Sequence, residues 1–383
     1  MSTAVRNFRA VQATTEKKPA VFSFFSGAGF LDLGFEQSGF EVVFVNELHP
    51  PFLTAYRFAR KKLGIGIPQF GYFERDIASL LEEKERKRLH LIVTQAKQEH
   101  ALVGFIGGPP CPDFSIAGKN KGRNGTSGIL SQTYADLISQ QQPDFFLFEN
   151  VKGLWGTKVH RAFYEDLKVQ LCKSGYALSE RLINSLEYGA PQDRDRLILL
   201  GFNRYSCGAQ VTQRITKFPW LKYAKYNKVD AMSRNWIRTE PYKEASVRKA
   251  PKGIIRELTV EHWFRRNDVD NHPNSRHFFK PRAGLVRFQS IAEGDDSRKS
   301  FKRLHRWRYS PTAAYGHNEV HIHPYKPRRI TSAEALAIQS LPKSFVISPD
   351  ITLSDQFKAV GNGVPYLAAK SIALSVMSFL KSL

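Results

Sequence analysis

The feature that most constrains this chain is a short apolar run that stops at a proline-framed cysteine. Leu102-Val103-Gly104-Phe105-Ile106 runs into Gly107-Gly108-Pro109-Pro110-Cys111-Pro112-Asp113-Phe114-Ser115. A continuous apolar run bounded by Gly and Pro reads as a strand covered on both faces, the situation of strands in a parallel sheet flanked by helices. In such sheets ligands and chemistry collect beyond the carboxyl ends of the strands. Proline fixes φ, so three prolines around Cys111 hold the direction of its thiol. A polar, Gly-rich stretch from Gly118 to Gly128 follows. A buried cysteine acting as a small hydrophobe is the alternative, and the exposed character of this loop speaks against it.

The chain around this stretch has an α/β rhythm. Ala20–Phe25 is apolar and β-prone, Ser26-Gly27-Ala28-Gly29 breaks it, Phe30–Phe40 has helical spacing, and Glu41–Val45 is a second strand ending in Asn46-Glu47. This is a Rossmann-type opening: a Gly turn lets a cofactor approach the backbone, and an acid about 20 residues on can accept from ribose hydroxyls. With only two glycines the turn does not by itself choose the cofactor. Helical patterns are predicted over 50–63, 79–98, 131–141 and 159–174. Residues 73–77 form a short strand end with a second acid, Asp76. Asp144–Phe148 is another apolar strand, terminated by Glu149, and 181–187 reads as a strand. In Gln192-Asp193-Arg194-Asp195-Arg196 the alternation sets three polar groups on one face of an extended segment that enters the strand 197–202. Two guanidinium forks there suit a carboxylate, a phosphate or a base edge; a surface ladder with Asp193 and Asp195 fits the same pattern. From 203 to about 307 the rhythm is lost. It resumes at Arg328, with Thr331 and Glu334 forming a capping box, then a Gly-rich turn over 357–365 and a closing helix over 366–380.

Charge narrows the partner. The 383-residue chain carries a net charge of +22, and residues 202–310, with 25 Lys and Arg against 10 Asp and Glu, hold 15 of that excess. Interleaved with Trp220, Tyr223, Tyr226, Trp236, Trp263 and Trp307, this reads as a surface for a polyanion, nucleic acid above all. The cysteines, Cys111, Cys172 and Cys207, show no CxxC spacing, which suits a reducing compartment and argues against a disulfide framework or a zinc site. No stretch reaches the roughly 18 apolar residues of a membrane span. Met1–Lys18 is polar and reads as a flexible lead-in rather than a signal peptide.

In this order the motifs resemble those of the cytosine-5 DNA methyltransferases: Phe24-Phe25-Ser26-Gly27-Ala28-Gly29, Asn46-Glu47, Asp76-Ile77, Pro109-Pro110-Cys111 through Lys121-Gly122, Glu149-Asn150-Val151, Gln192-x-Arg194-x-Arg196, Arg328 to Pro342, and Gly361-Asn362-Gly363-Val364. The resemblance implies a Rossmann-like S-adenosylmethionine-dependent methyltransferase domain, α/β with a doubly wound mixed sheet, and a smaller basic target recognition domain. It divides the chain into a lead-in (1–18), a catalytic domain (19–202), the recognition domain (203–310) and a segment returning to the catalytic domain (311–383). Cys111 takes the role of the nucleophile, Glu149 that of the acid on the base, and Arg194 and Arg196 those of supporting arginines. Such an acid needs a raised pKa, which burial against an apolar strand provides. For S-adenosylmethionine the resemblance assigns Phe25, Gly27 and Gly29 at the turn, Glu47 on the ribose, Leu48 on the adenine face, Asp76 and Ile77 at its edge, and Pro109, Leu130, Asn362 and Val364 in the rest of the pocket. It assigns Ser115, Lys119, Lys121 and Gln192 to DNA. It further implies double-stranded DNA as partner, a monomer, no metal, no membrane, a place in the cytoplasm on the nucleoid, and pairing with a restriction endonuclease. Three positions depart from the family pattern. Ser23 stands where an acid usually opens the first motif, Phe30 where a third glycine is frequent, and Pro112 where glutamine or asparagine usually follows the cysteine. Transfer RNA is the other substrate such motifs allow; the long basic region favours DNA.

Overall fold

The computed structural model describes residues 17–110, 126–281, 284–316 and 319–383. Among these, seven strands form one sheet: β1 (Ala20–Phe24), β2 (Glu41–Asn46), β3 (Tyr72–Phe73), β4 (Val103–Gly107), β5 (Phe145–Val151), β6 (Tyr176–Asn184) and β7 (Asp195–Asn203), in the order β3-β2-β1-β4-β5-β7-β6. All neighbours are parallel except β7, which is antiparallel to both β5 and β6. The order reverses between β1 and β4, the crevice where doubly wound sheets bind ligands.

Period-2 alternation sorts the strand side chains into two cores. Phe22, Phe24, Phe44 and Phe105 face α3 (Glu83–Glu99), α4 (Thr126–Gln141) and α5 (Lys158–Lys173). Aromatic packing dominates here, with the Phe24 and Phe105 rings 4.9 Å apart, within the range where tilted pairs are favoured. Val21, Val45, Ile106 and Leu147 face the other way, onto α1 (Phe30–Glu36), α2 (Pro50–Lys62) and α9 (Tyr366–Leu380). The closing helix thus lies on the first one. A Cβ on Gly34 would stand 2.7 Å from Ala369, so only a residue without one lets α1 and α9 approach this closely. The most apolar stretch, Leu353–Leu380, is buried over 61% of its apolar window and is two helices, α8 (Leu353–Asn362) and α9, broken at Gly363-Pro365. It is a core element of this fold.

Several boundaries differ from the sequence reading. α1 ends at Glu36, where Gln37 and Gly39 turn the chain into β2. The helix predicted from 79 begins at Glu83, after a 3₁₀ segment Ile77–Leu81 capped by Asp76. The strand predicted over 181–187 spans 176–184, because Asn184 and Glu187 form a capping box that closes it into a 3₁₀ turn. The basic region has little regular structure. Its start packs on the main sheet through Cys207, Val211, Ile215 and Phe218. Further on, Trp263 and Phe264 of α6 (Val260–Arg266) share a core with Leu304, Ile330 and α7 (Ser332–Ile338). Packing is therefore continuous across residues 203 and 311.

Candidate active site

At the crevice, β1 ends in a tight turn. Phe25, Gly27 and Gly29 all have positive φ (54°, 55° and 80°), a region costly for a residue with a Cβ. Its occupation by Phe25 marks a constrained position, and its ring packs edge-on to Tyr134. A Cβ at Gly29 would lie 2.6 Å from Tyr56, whereas one at Gly27 would meet nothing within 4 Å. One glycine is thus demanded by packing behind the turn, and the other opens onto free space in front of it. Glu47, at the end of β2, reaches across: Gly27 N–H donates to its Oε2 at 2.8 Å and His49 N–H to its Oε1 at 2.9 Å. Burial holds the Glu47 carboxyl above the usual range despite these bonds. Leu48 is 58% exposed beside it. Asn46 fixes the end of β3 by donating to the Phe73 and Arg75 carbonyls. Asp76 is exposed and caps the 3₁₀ segment, while the Ile77 side chain lies in the core; Ile77 can offer an edge contact only through its backbone. Leu130 packs against the same core as Phe25. Pro109 and Val364 are buried and Asn362 is exposed.

Glu149 sits near the carboxyl end of β5. Its Oε1 accepts from Arg196 Nε at 2.8 Å. In the antiparallel register Arg196 stands opposite Val151, diagonal to Glu149 on the same face, a separation long side chains bridge. Burial raises the Glu149 pKa; Arg196 and, more remotely, Arg194 offset part of the rise. Gly107 pairs with Phe148, so Gly108 lies level with Glu149, and a Cβ at Gly108 would stand 2.5 Å from Glu149 Oε2. The root of the cysteine loop is thus pressed against the buried acid. Cys111 itself, with Ser115, Lys119 and Lys121, lies outside the described residues.

The other two members of the polar triplet point inward. Gln192, expected at the DNA, is fully buried: its Oε1 accepts from Ala313 N–H at 2.9 Å and its Nε2 donates to Gln339 Oε1 at 3.1 Å. Both ends of its amide are used within the protein, so it has none for a base. Arg194, 1% exposed, donates Nη1 to the Ala313 carbonyl at 3.0 Å and Nη2 to the Gly361 carbonyl at 2.7 Å. These partners lie more than a hundred residues away, so the triplet fastens the returning C-terminal segment to the sheet. Only Arg196 touches the acid. On the other side of the joint the Phe30 ring occupies the space a side chain on Gly363 would need. This accounts for the departure at position 30: the ring seats the second Gly-rich turn against the first.

Residues not singled out from sequence lie behind the turn. Asp32 is buried, accepting from Ser23 Oγ at 2.8 Å and Tyr56 Oη at 2.9 Å, and burial raises its pKa. Arg60, also buried, donates to the Gly29 carbonyl at 3.0 Å and pairs with Glu36 at 3.1 Å. The acid absent at Ser23 thus returns from α1 as Asp32. The signal was an Asp inside the apolar series Phe30, Leu31, Leu33.

A family profile, C-5 cytosine-specific DNA methylase, matches residues 20–378. This chain belongs to that family. The methylase is 57% identical over 366 residues to the type II methyltransferase M.NmeDI of Neisseria meningitidis serogroup C, covering 96% of this chain and 85% of that one. It is 28% identical to M.XorII of Xanthomonas oryzae pv. oryzae over 95% of this chain and 86% of that one. Its fold matches that of an inferred DNA modification methyltransferase of an E. coli prophage, with a TM-score of 0.62 at 23% identity over 94% of this chain and 99% of that one. The protein is a DNA (cytosine-5-)-methyltransferase, and its family depends on S-adenosylmethionine. The residues present fit that group. The opening before Gly27 leaves room where the backbone can be approached, and Glu47 and Leu48 offer an acceptor and an apolar face beside it.

Proposed function

We propose that this methylase acts on C5 of a cytosine flipped out of duplex DNA within a short target sequence, through a covalent bond from Cys111 to C6. The observation that carries this reading is the contact of Gly108 with the buried Glu149–Arg196 pair, three residues before Cys111. C5 of cytosine is a weak nucleophile until a soft nucleophile adds at C6, and the Cys111 thiolate supplies it. Glu149, with its pKa raised, donates to N3 and takes up the charge that addition places on the ring. Arg196 holds that carboxyl in position. The cofactor, when bound, supplies a methyl on a sulfonium centre, which the enamine-like C5 accepts. Loss of the C5 proton then expels the thiolate. None of this can occur inside the base stack, hence the extrusion of the base, with the loop bearing Ser115, Lys119 and Lys121 closing on it. Phe25, Gly27, Gly29, Glu47, Leu48, Asp76, Ile77 (through its backbone), Pro109, Leu130, Asn362 and Val364 hold the cofactor. Residues 203–310 form the target recognition domain and 1–18 the lead-in. The enzyme works as a monomer in the cytoplasm, on the nucleoid, and protects DNA against a cognate restriction endonuclease, as the type II names of its relatives suggest.

The test is methylation mapping of DNA from cells expressing the chain beside a Cys111→Ser control, with labelled transfer to transfer RNA run in parallel. 5-Methylcytosine at one short sequence, lost in the control, is expected, as is a trapped adduct on the same duplex carrying 5-fluorocytosine. Label in RNA alone would overturn the reading.

A further inference from the structure

The Gly turn at the end of β1 is held from behind by a side chain that the chemistry does not touch. Arg60, in the last turn of α2, is 2% exposed. Its Nη2 donates to the Gly29 carbonyl at 3.0 Å and lies 3.1 Å from Glu36 Oε2. The guanidinium lies over the Tyr56 ring, with Cζ 4.4 Å from the centroid. Tyr56 Oη in turn donates to the buried Asp32, and the Tyr56 ring fills the space a Cβ on Gly29 would need. Two residues of α1 and two of α2 thus close around one carbonyl of the turn.

Stability alone is a poor account of this arrangement. Arg60 Nε and Nη1 are buried with no hydrogen-bond partner among the described residues. An unpaired buried donor is costly, and a buried ion pair replaced by apolar residues of like volume often leaves a protein as stable or more so. What the arrangement does fix is the turn. Phe25 has a positive φ of 54°, and a residue with a Cβ persists there only where its surroundings over-determine it. Glycine has the widest backbone freedom, so a turn containing Gly27 and Gly29 keeps one shape only if its neighbours hold it. The other end of α2 supplies a second hold. His49, the residue before the helix, donates its N–H to Glu47, whose other oxygen accepts from Gly27. The helix therefore grips the turn twice, from the front through Glu47 and from behind through Arg60.

We propose that Arg60 is a positioning residue for S-adenosylmethionine: by holding the Gly29 carbonyl from behind, it presets the turn whose open side, before Gly27, receives the cofactor. This rests on the reading that the cofactor binds at this turn. A preorganised site has less to order when its ligand arrives, so losing the hold should weaken the cofactor without removing any group in contact with it.

Two variants of the full-length enzyme test this. Arg60→Met with Glu36→Leu replaces the ion pair by apolar side chains, while Asp32 keeps Ser23 and Tyr56 as donors. Calorimetry should show S-adenosylmethionine bound about tenfold more weakly, the scale of one hydrogen bond to a charged group. In the cofactor-free enzyme the Gly27 and Gly29 amides, which donate to Glu47 and to the Ser26 carbonyl, should exchange with solvent faster, while the Tm stays level or rises. Arg60→Ala empties the guanidinium position beside a cleft of about 220 Å³ lined by Glu36, Tyr56 and Ile65, among others. Guanidinium ion at a non-denaturing concentration should restore the affinity of that variant, and an equal concentration of sodium chloride should not. Amides as protected as in the parent would overturn the proposal. So would a Tm that falls while the affinity holds, since Arg60 would then be structural only, and so would a loss in Arg60→Ala that guanidinium leaves in place. Faster exchange with unchanged affinity would overturn the seat of the cofactor at this turn, and with it the role of Arg60 in binding, while leaving the hold on Gly29 standing.

Discussion

Adding one methyl group at Gly108 should separate the chemistry of this enzyme from its stability. In Gly108→Ala the new Cβ would stand 2.5 Å from Glu149 Oε2, against an ordinary carbon–oxygen contact of about 3.4 Å. The carboxylate must therefore move by about 0.9 Å, away from the position in which Arg196 Nε holds it at 2.8 Å. A misplacement near 1 Å of a group acting on the reacting atoms costs about 10²-fold in rate, or about 2.7 kcal/mol of barrier. Gly108 is not among the positive-φ residues, so alanine strains no backbone and the Tm should stay close to that of the parent. Single-turnover methyl transfer under saturating cofactor and duplex reads the effect directly. A double-mutant cycle assigns it, because in a Glu149→Gln background the same substitution should cost far less than 10²-fold. Full activity of Gly108→Ala would refute the reasoning. So would an equal loss in both backgrounds, which would place the effect at the cysteine loop rather than at the acid.

Four further outcomes follow from the geometry. Arg196→Gln removes the cation that lowers the Glu149 pKa, so the alkaline limb of the rate profile, where the acid loses its proton, should move to higher pH while the maximum rate falls. Glu47→Gln should weaken S-adenosylmethionine binding about 10- to 100-fold by calorimetry, since bonds to a charged acceptor contribute about 1.5–3 kcal/mol. Arg194→Met should lower the Tm more than it lowers the rate per folded molecule, because it unties the Ala313 and Gly361 carbonyls. Acid should destabilise the protein early. Burial pushes His321 down to about 3 and also lowers His272, His305 and His323; the Nδ1 atoms of His272, His305 and His323 accept backbone N–H groups and so carry no proton. A histidine depressed on folding stabilises above its unfolded pKa of about 6.5, and that contribution is lost as pH falls toward the folded value. His321 alone should cost about 1.4 kcal/mol per pH unit below 6.5 in urea titrations, and His321→Gln should show a slope one proton shallower.

The parallel half of the sheet was legible because β1, β4 and β5 are continuous apolar runs ending in Gly or acid, a pattern few other folds need. The antiparallel placement of β7 was not, since its sequence reads like any other buried strand and its neighbours are set by the tertiary fold. Glu149 and Arg196 were each readable as site residues at strand ends, but the arginine expected first beside the carboxylate was Arg194, and it is Arg196 that pairs with it. Gln192 and Arg194 share their alternation yet turn inward, because their partners are carbonyls and amides of Ala313, Gln339 and Gly361, and nothing local announces a partner so distant. Asp32 and Arg60 were hidden for a related reason, as each reads as an ordinary polar residue of its helix. The basic region offered charge but no periodicity, and the structure agrees in giving it short helices and turns rather than a sheet.

The seat of α9 on α1 bears on how the enzyme comes into being. Ser38 at the end of α1 donates to the Lys370 carbonyl, 332 residues later. A chain emerging from the ribosome makes the Gly turn, Glu47 and the cysteine loop first, then waits for the whole basic region before the helix that seats on α1 and the turn that seats on Phe30 arrive. Contacts of such sequence separation form late and slowly, so the nascent polypeptide lacks the partner of α1 until synthesis is nearly over. The same division means that two fragments, cut within the basic region and made separately, each carry half of a complementary apolar interface between α1 and α9, and their reassembly would regenerate methyl transfer from parts that are inert alone.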